Sequence, residues 1–205
     1  MDVAIGDLML VVIEDEEFPD REEYIWERNG VDFIPSSIWL SAVEAKLRLE
    51  IGAEKMLAAI LEPLRDEYDI ILIDTSPSLG ALNINAMAVA DEVIATVNPR
   101  LLAMKGLQDF LKTVKKIKSR INAKLDVAGI LLTMCDARMI LCKTITEQVA
   151  ETFQGQIRIF KSKIPNTVKV GESVYYSEPL AEYAPESNAC KAYDRLAGEV
   201  IAYEG

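Results

Sequence analysis

The residues best suited to chemistry lie between Tyr68 and Gly80. The sequence there is Tyr68-Asp69-Ile70-Ile71-Leu72-Ile73-Asp74-Thr75-Ser76-Pro77-Ser78-Leu79-Gly80. Four consecutive apolar residues, Ile70–Ile73, bounded by acidic and turn residues, are typical of a strand buried on both faces of a parallel sheet. Asp74 would then lie at the carboxyl edge of that sheet, where ligands bind, and its carboxylate could hold a Mg²⁺ ion through water.

A phosphate-bound magnesium ion also needs a phosphate-binding loop of the form G-x-x-x-x-G-K-[ST]. Glycines are required there because they allow consecutive backbone N–H groups to close around the phosphate oxygens. The ten glycines of this chain are never closer than seven residues apart, and none is followed by lysine. The sequence therefore offers a candidate magnesium ligand without the loop that would hold the phosphates.

The cysteine and histidine content excludes several kinds of site. The chain has three cysteines, Cys135, Cys142 and Cys190, and no histidine. Their spacing does not fit a zinc cluster, and Ser-His-Asp or Cys-His catalysis has no histidine to use. We expect reduced cysteines that pack as small apolar side chains, and chemistry limited to carboxylates, lysines and bound metal.

The net charge of −11 is unevenly distributed along the chain. Residues 105–124 carry seven basic side chains and one acidic, whereas residues 1–104 carry seven basic and 21 acidic. An acidic chain is not a general nucleic-acid binder, so DNA contact would have to come from a local basic patch. Within 101–121, Lys112 and Lys116 lie on the polar face of an amphipathic helix, which fits either a solvated surface or a nucleic-acid or partner surface.

The order of elements predicts an α/β fold with a parallel sheet. At 205 residues the chain is expected to form a single domain, 1–205, whose first thirty residues (1–30) are an atypical acidic lead-in. Ile5–Val12 could be a helix or a strand. The predicted strands are Val31–Ile34, Ile70–Ile73, Glu92–Val97, Val127–Thr133 and Arg158–Ser162. The predicted helices cover 41–66 with a break near Gly52, 81–90, 101–121, 142–153 and 187–203.

Several segments occur in an order and spacing that together are specific. They are Gly30–Ser37, Tyr68–Gly80, Asn83-Ile84-Asn85-Ala86, Leu131–Arg138, Ile164–Glu172, and Pro179, Tyr183, Pro185 and Ser187. In this order they resemble the ParA/Soj family of plasmid and chromosome partition ATPases, within the larger group that includes MinD. The resemblance runs from about Gly30 to Ala202 and implies a P-loop NTPase-like three-layer sandwich.

The resemblance also implies roles for particular residues in ATP and magnesium binding. Tyr68–Gly80 resembles the Walker B strand and the switch that follows it. Asp74 would be the magnesium aspartate, and Ser76 and Pro77 would belong to the switch that reads the γ-phosphate. Leu131–Arg138 resembles the family's T-M-x-D-x-R element, and Ile164–Glu172 resembles its I-P-R-N-V-R-L-S-E loop. Met134, Pro165 and Asn166 would line the adenine pocket.

The remaining implied properties concern DNA and protein partners. The family forms an ATP-bound dimer that binds DNA non-specifically, and a ParB-like protein stimulates its hydrolysis. Lys169 stands where the family has an arginine that contacts DNA, and Arg195 lies near another basic position. Asn166 replaces an arginine, Val174 a proline and Glu178 a commonly basic residue, so the positive charge expected of a DNA-facing surface is lowered.

The family's phosphate loop and the L-D-x-D-P-Q segment after it have no counterpart in this sequence. We therefore expect the carboxyl-terminal three-quarters of such an ATPase, lacking the P-loop strand and helix and inactive in ATP binding and hydrolysis. The P-loop strand lies beside the Walker B strand in this group, so Ile70–Ile73 would have an open edge. Open apolar edges favour association or aggregation.

Two other functions compete with that interpretation. One is a nucleotide-independent binding module that pairs, as a homodimer or heterodimer, with a full-length ParA homologue and so acts as a dominant-negative partner. The other is a MinD-like membrane switch, which needs a basic amphipathic tail; the tail Glu199–Gly205 is acidic, so we expect no membrane partner. With no apolar run of about 20 residues and no basic amino terminus, we expect a cytoplasmic protein with possible nucleoid association.

Overall fold

The computed structural model describes residues 3–136 and 138–204. The predictions that involve Met1, Ala137 and Gly205 therefore fall partly outside the described residues. Clustering of contacts divides the chain into two compact units. The first contains residues up to Asp91 together with Val114–Leu125, and the second contains Glu92–Thr113 together with the residues from Asp126 onward.

The first unit consists of short helices around an apolar core. Leu8 and Leu47 are fully buried in that core. Ile5–Val12, for which the sequence left helix and strand open, belongs to a helix. In chain order the elements are α1 (Ile5–Glu14), α2 (Arg21–Tyr24), β1 (Trp26–Arg28), β2 (Val31–Phe33), α3 (Leu40–Leu47), a 3₁₀ turn (Ala53–Lys55), α4 (Met56–Leu61), a second 3₁₀ turn (Glu62–Glu67) and α5 (Ala81–Val89).

The predicted strand Val31–Ile34 forms part of an antiparallel hairpin and not of the parallel sheet. Val31–Phe33 pairs antiparallel with Trp26–Arg28 and joins no parallel sheet. The cause is the Asn29-Gly30 turn, in which both residues have positive φ, 53° and 75°. Asn-Gly at positive φ closes two-residue hairpins, and this pair was a readable signal in the sequence.

The prediction of a buried strand at Ile70–Ile73 is wrong. No residue from Tyr68 to Ser76 is in a strand, and the side chain of Leu72 is 87% exposed. A parallel strand forms only when a neighbouring strand accepts and donates its backbone hydrogen bonds. Within residues 3–136 and 138–204 no strand pairs with this segment, so it belongs to no sheet.

The second unit contains the parallel sheet and confirms the predicted α/β fold. The sheet has three strands, β3 (Glu92–Val97), β4 (Asp126–Cys135) and β5 (Ile159–Pro165). Strand β3 pairs with β4, and β4 with β5, all parallel, in the order β3-β4-β5. The elements are β3 (Glu92–Val97), α6 (Ala103–Arg120, whose last turns belong to the first unit), β4 (Asp126–Cys135), α7 (Ile140–Phe153), β5 (Ile159–Pro165), α8 (Val168–Tyr176), α9 (Leu180–Tyr183) and α10 (Asn188–Glu204).

Close packing of β4 on β5 depends on one glycine. A Cβ atom on Gly129 would lie 2.8 Å from the ring of Phe160 and 3.0 Å from the Arg158 carbonyl oxygen. Phe160 is 2% exposed and packs with Leu131, Ile164 and Ala192.

Among the described residues no helix is long and apolar enough to cross a bilayer.

The outer edge of β5 is covered by a carboxylate from α10. The backbone N–H groups of Lys161 and Ser162 donate to the two oxygens of Glu199, at 2.8 and 2.7 Å. Burial alone would raise the pKa of Glu199, but the hydrogen bonds from Ser162 and Lys161 and the charge of Arg158 outweigh it, so its pKa is lowered. Glu199 thus satisfies edge donors that would otherwise be free to pair with another chain.

We expect Glu199→Ala to lower the free energy of unfolding by about 2 kcal/mol, because the exposed N–H of Lys161 and the partly buried N–H of Ser162 lose a charged acceptor. Urea denaturation measures the change, with Glu147→Ala, on the exposed face of α7, as the control. Because the pKa of Glu199 is lowered in the folded state, its stabilisation is present above the unfolded pKa of about 4.3 and is lost as pH falls through the lower folded value. A wild-type advantage that does not shrink below about pH 4 would contradict this assignment.

We also expect the 205-residue chain to associate through the unpaired segment Ile70–Ile73, because an extended apolar segment with free backbone groups recruits other chains. Leu72→Glu should shift the protein towards monomer in light scattering. Leu49→Glu is the matched control, because Leu49 is also 87% exposed but lies in a turn. A concentrated wild-type chain that stays monomeric would exclude this mode of association.

Candidate functional site

Three of the predicted nucleotide residues lie together at the carboxyl ends of β4 and β5. Cys135 pairs with Pro165 in the strand register, and the Asn166 N–H donates to the Cys135 carbonyl at 2.9 Å. Met134 directly precedes Cys135 and is 57% exposed. Residues from two segments about thirty positions apart are thus held at one edge of the sheet by the parallel pairing.

The backbone at Met134 is unusual and shapes this edge. Its φ is 52°, in the left-handed region that residues other than glycine seldom adopt. The Asn98 side-chain amide, beyond the end of β3, donates to the Met134 sulfur at 3.4 Å. The result is an exposed apolar side chain beside backbone polar groups, and this combination suits a flat heteroaromatic base. The sequence did not point to Asn98.

Asp74, Ser76 and Pro77 lie in the first unit on the exposed segment before α5. The turn after Asp74 is held by a contact between the Ser76 and Ser78 hydroxyls at 2.8 Å. The Asn83 side chain, which is buried, donates to the Ser76 carbonyl at 2.9 Å. The turn therefore has a defined conformation although no strand precedes it.

Two further side chains lie around the start of α5, and neither was assigned a role from the sequence. Asn85, 1% exposed, accepts from the Leu57 N–H at 3.0 Å and donates to the Ala53 and Ala81 carbonyls at 2.7 and 3.1 Å. Glu44 lies so close to Gly80 that any Cβ atom there would collide with its carboxylate. Because these atoms are the far end of a flexible side chain, a larger residue at Gly80 would require Glu44 to move aside.

The amino-terminal end of the same segment is fixed by a polar cluster. The Tyr68 hydroxyl donates to Asp32 at 2.6 Å and accepts from Arg21 at 2.9 Å. The hydrogen bond to Asp32, with burial, raises the pKa of Tyr68 above its ordinary value. Arg21 also pairs with Glu67. The segment is thus anchored at Tyr68 and at Ser76, and the residues between are exposed except for Ile73, which packs partly buried against the core.

The residues described at these two places differ in what they could offer the base and the phosphates of a nucleotide. Met134, Pro165 and Asn166 offer an apolar surface and backbone polar groups. Asp74 is exposed on an unpaired segment, and the sequence has no glycine-rich loop to surround phosphate oxygens. No catalytic step on ATP follows from these residues.

Two of the predicted DNA-contacting lysines are engaged in ion pairs. Lys169, predicted in a loop, lies instead in α8, where it pairs with Glu172 at 2.8 Å and lies over the Tyr183 ring. The hydrogen bond that Lys169 donates to Glu172 raises the pKa of Lys169 and lowers the pKa of Glu172. Lys112 pairs with Asp109 at 3.0 Å, while Lys116 lies exposed in the last turns of α6.

Arg195 lies in a groove that has several other basic side chains. The groove runs between β5 and α10 and encloses about 900 Å³. Its single acidic side chain, Glu199, has its carboxylate occupied by the β5 backbone. The basic residues that line it are Arg158, Lys161, Lys163 and Arg195. The sequence analysis missed the β5 residues because they are dispersed along a strand and form no charge run.

Comparison with known proteins gives the family. The family described as an AAA domain matches residues 5–127. An uncharacterized protein of Mycobacterium tuberculosis is 40% identical over 84% of this chain and 54% of its own length. The chromosome-partitioning ATPase Soj of Treponema pallidum is 37% identical over 84% of this chain and 67% of its own length. The chain thus spans about half the length of the mycobacterial relative.

Solved structures agree with this assignment. Cobyrinic acid a,c-diamide synthase from Mycobacterium smegmatis, crystallised with an ATP analogue and magnesium, is 27% identical, with a TM-score of 0.70 over 85% of this chain and 69% of that one. The cell division ATPase MinD of Pyrococcus furiosus, at 23% identity, shares the fold with a TM-score of 0.73 over 98% of this chain and 76% of its own. The chain therefore belongs to the ParA/Soj family of partition ATPases, within the group that includes MinD.

Proposed function

We propose that this chain is a ParA/Soj-type partition module that dimerises and binds DNA non-specifically, and that its 205 residues alone do not hydrolyse ATP. The observation that carries the proposal is the convergence of Met134, Pro165 and Asn166 at one edge of the parallel sheet. Soj from Treponema pallidum is named a chromosome-partitioning ATPase, and the related synthase binds an ATP analogue with magnesium. We propose by analogy that this chain contacts a nucleotide base at the sheet edge formed by Met134, Pro165 and Asn166.

We infer that the chain does not hydrolyse ATP because its sequence lacks the contacts that hold the ATP phosphates. In nucleotide motors most of the binding free energy and the stabilisation of the transferred phosphoryl group come from the phosphate loop, its lysine and the magnesium ion. A single charge-assisted hydrogen bond contributes roughly 1.5–3 kcal/mol, so the loss of the whole set removes useful affinity. Asp74 by itself has no phosphate-bound ion to hold.

The proposed DNA surface is the basic groove between β5 and α10, which Arg195 helps to line. Among the described ion pairs Lys161, Lys163 and Arg195 take no part, whereas Lys112 and Lys169 are paired with acidic neighbours. Three unpaired cations along one groove suit a phosphate backbone, which binds by charge and without reading the sequence. Lys116 and the ion-paired Lys112 and Lys169 would contribute less. A cytoplasmic, nucleoid-associated protein that works with a ParB-like partner fits this surface.

A second candidate is a nucleotide-independent binding module that pairs with a full-length ParA homologue. It is favoured by an apolar groove of about 520 Å³ between α1 and α3. Trp39 at its rim is 74% exposed, and the neighbouring Ile38 is 88% exposed. The two candidates differ in nucleotide dependence: a complex of equal yield with and without ATP favours the second.

The ATPase part of the proposal is tested by phosphate release from ATP and magnesium. We expect the purified 205-residue chain to match a protein-free blank, because the phosphate contacts are missing from its sequence. Asp74→Ala is the control and should give the same background. Hydrolysis that requires magnesium and disappears in Asp74→Ala would overturn the proposal, whereas hydrolysis that survives in this variant would identify a contaminating enzyme.

The DNA part is tested by binding of duplexes of unrelated sequence at several salt concentrations. We expect Lys161→Gln and Arg195→Gln each to weaken binding to all sequences and to reduce the slope of log affinity against log salt by about 1, since each removes one phosphate contact. Lys191→Gln, also on α10 but paired with Glu186 at 2.8 Å, is the matched control. Equal losses in the three variants would show that only overall charge matters.

A further inference from the structure

One end of the basic groove between β5 and α10 carries an exposed aromatic side chain. Tyr203, in the last turn of α10, lines this groove. The guanidinium carbon of Arg158 lies 4.7 Å from the centre of the Tyr203 ring and 4.6 Å from the centre of the Phe160 ring. Although Arg158 lies over its ring, Tyr203 is still 46% exposed. The groove therefore presents an aromatic surface that a cation holds in place and that a ligand can reach.

Arg158 is fixed by these contacts, yet its hydrogen-bonding capacity is not fully used. Its Nη2 atom donates to the Glu199 carbonyl at 2.9 Å and lies 3.9 Å from the Glu199 carboxylate. That carboxylate already accepts two N–H groups of the β5 backbone. The Nη1 atom of Arg158 is buried and has no hydrogen-bond partner among the described residues. Because a buried donor without a partner is costly, this end of the groove favours the approach of an anion.

The groove-lining face of α10 leaves room for a narrow ligand between Arg195 and Tyr203. These two residues are eight positions apart in one helix, which corresponds to about 12 Å along its axis. Gly198 and Ala202 line the groove between them, and a Cβ atom on Gly198 would meet no atom within 4 Å. A ligand can therefore lie along α10 with a cation near one of its ends and an aromatic ring near the other.

The aromatic ring distinguishes between the two forms of DNA. In a duplex the faces of the bases are stacked on one another, so a protein reaches only the backbone and the base edges. An unpaired base has a free face that can stack on a tyrosine, while the phosphates of its strand follow a positively charged groove. A duplex can therefore use the cations of this groove but not the Tyr203 ring.

We propose that the groove between β5 and α10 binds single-stranded DNA, with an unpaired base stacked on Tyr203 and phosphates near Arg158 and Arg195. This inference rests on the proposed function, in which the same groove binds DNA, and it adds the strand form that uses the ring. Binding without sequence preference is expected here too, because every base has a face that can stack.

The experiment measures binding of the 205-residue chain to labelled oligothymidylate and to a duplex of equal length by fluorescence anisotropy at one salt concentration. We expect Tyr203→Ala to weaken binding of the single strand about tenfold, since one base stack is lost, and to change duplex binding less than about twofold. Tyr203→Phe keeps the ring and should bind like the unsubstituted chain. Tyr193→Ala is the matched control, because Tyr193 is also on α10 and is 43% exposed but lies outside the groove.

A second variant blocks the groove without removing a charge or the ring. Gly198→Leu places a side chain in the open space beside α10 and should weaken single-strand binding about as much as Tyr203→Ala does. Gly106→Leu is its control, because Gly106 is also a helical glycine with open space around it but lies on α6. Thermal unfolding checks that each variant is folded, and Gly198→Leu decides the matter if Tyr203→Ala is not.

The outcomes separate this inference from the proposed function. Duplex binding together with unchanged single-strand binding in Tyr203→Ala or in Gly198→Leu would overturn the inference and leave the proposed DNA surface standing. Equal losses in Tyr203→Ala and Tyr193→Ala, or equal losses on the two forms of DNA, would overturn it as well. A chain that binds neither form of DNA would overturn both.

Discussion

Backbone hydrogen bonding between neighbouring strands is the constraint on which most of this structure depends. A strand in a parallel sheet needs partners along its edges, because unpaired N–H and C=O groups are costly once apolar side chains are buried around them. In the second unit β4 satisfies this requirement with β3 on one side and β5 on the other. The outer edge of β5 is completed by the Glu199 carboxylate, a side-chain substitute for a further strand.

The same constraint explains why the most informative segment of the sequence does not form the element that it predicts. Ile70–Ile73 has the composition of a buried parallel strand. Such a composition shows only that the side chains could pack against apolar layers on both faces of a sheet. The edges require another strand, and none of the described residues supplies one. The segment therefore joins no sheet: its first three apolar residues are exposed, Ile73 packs partly buried against the core, and polar contacts hold it at Tyr68 and Ser76.

Helices with clear periodicity, and strands whose parallel neighbours lie among the described residues, were predictable from the sequence; strands whose expected neighbour is absent there, or whose partner is a hairpin strand, were not. Glu92–Val97 was predicted with its observed bounds, and the helices predicted at 101–121 and 142–153 differ from the observed ones by at most two residues at either end. Val31–Phe33 was misplaced because its partner, Trp26–Arg28, lies in a region without strong periodicity. Helix α8 was missed because the resemblance presented Ile164–Glu172 as a loop, although Thr167 provides a helix cap by accepting the Lys169 N–H.

The two candidate sites also differ in how far the sequence could reveal them. As single residue types, Met134, Pro165 and Asn166 indicate no function. They lie close together only because β4 and β5 pair in this register. Recognition of a base at such an edge uses backbone groups and apolar contact, so it tolerates side-chain change. Phosphate recognition instead requires a particular backbone path that only closely spaced glycines allow. A chain can therefore retain the first kind of site through its sheet while its sequence lacks the second, and the family resemblance alone does not imply catalysis.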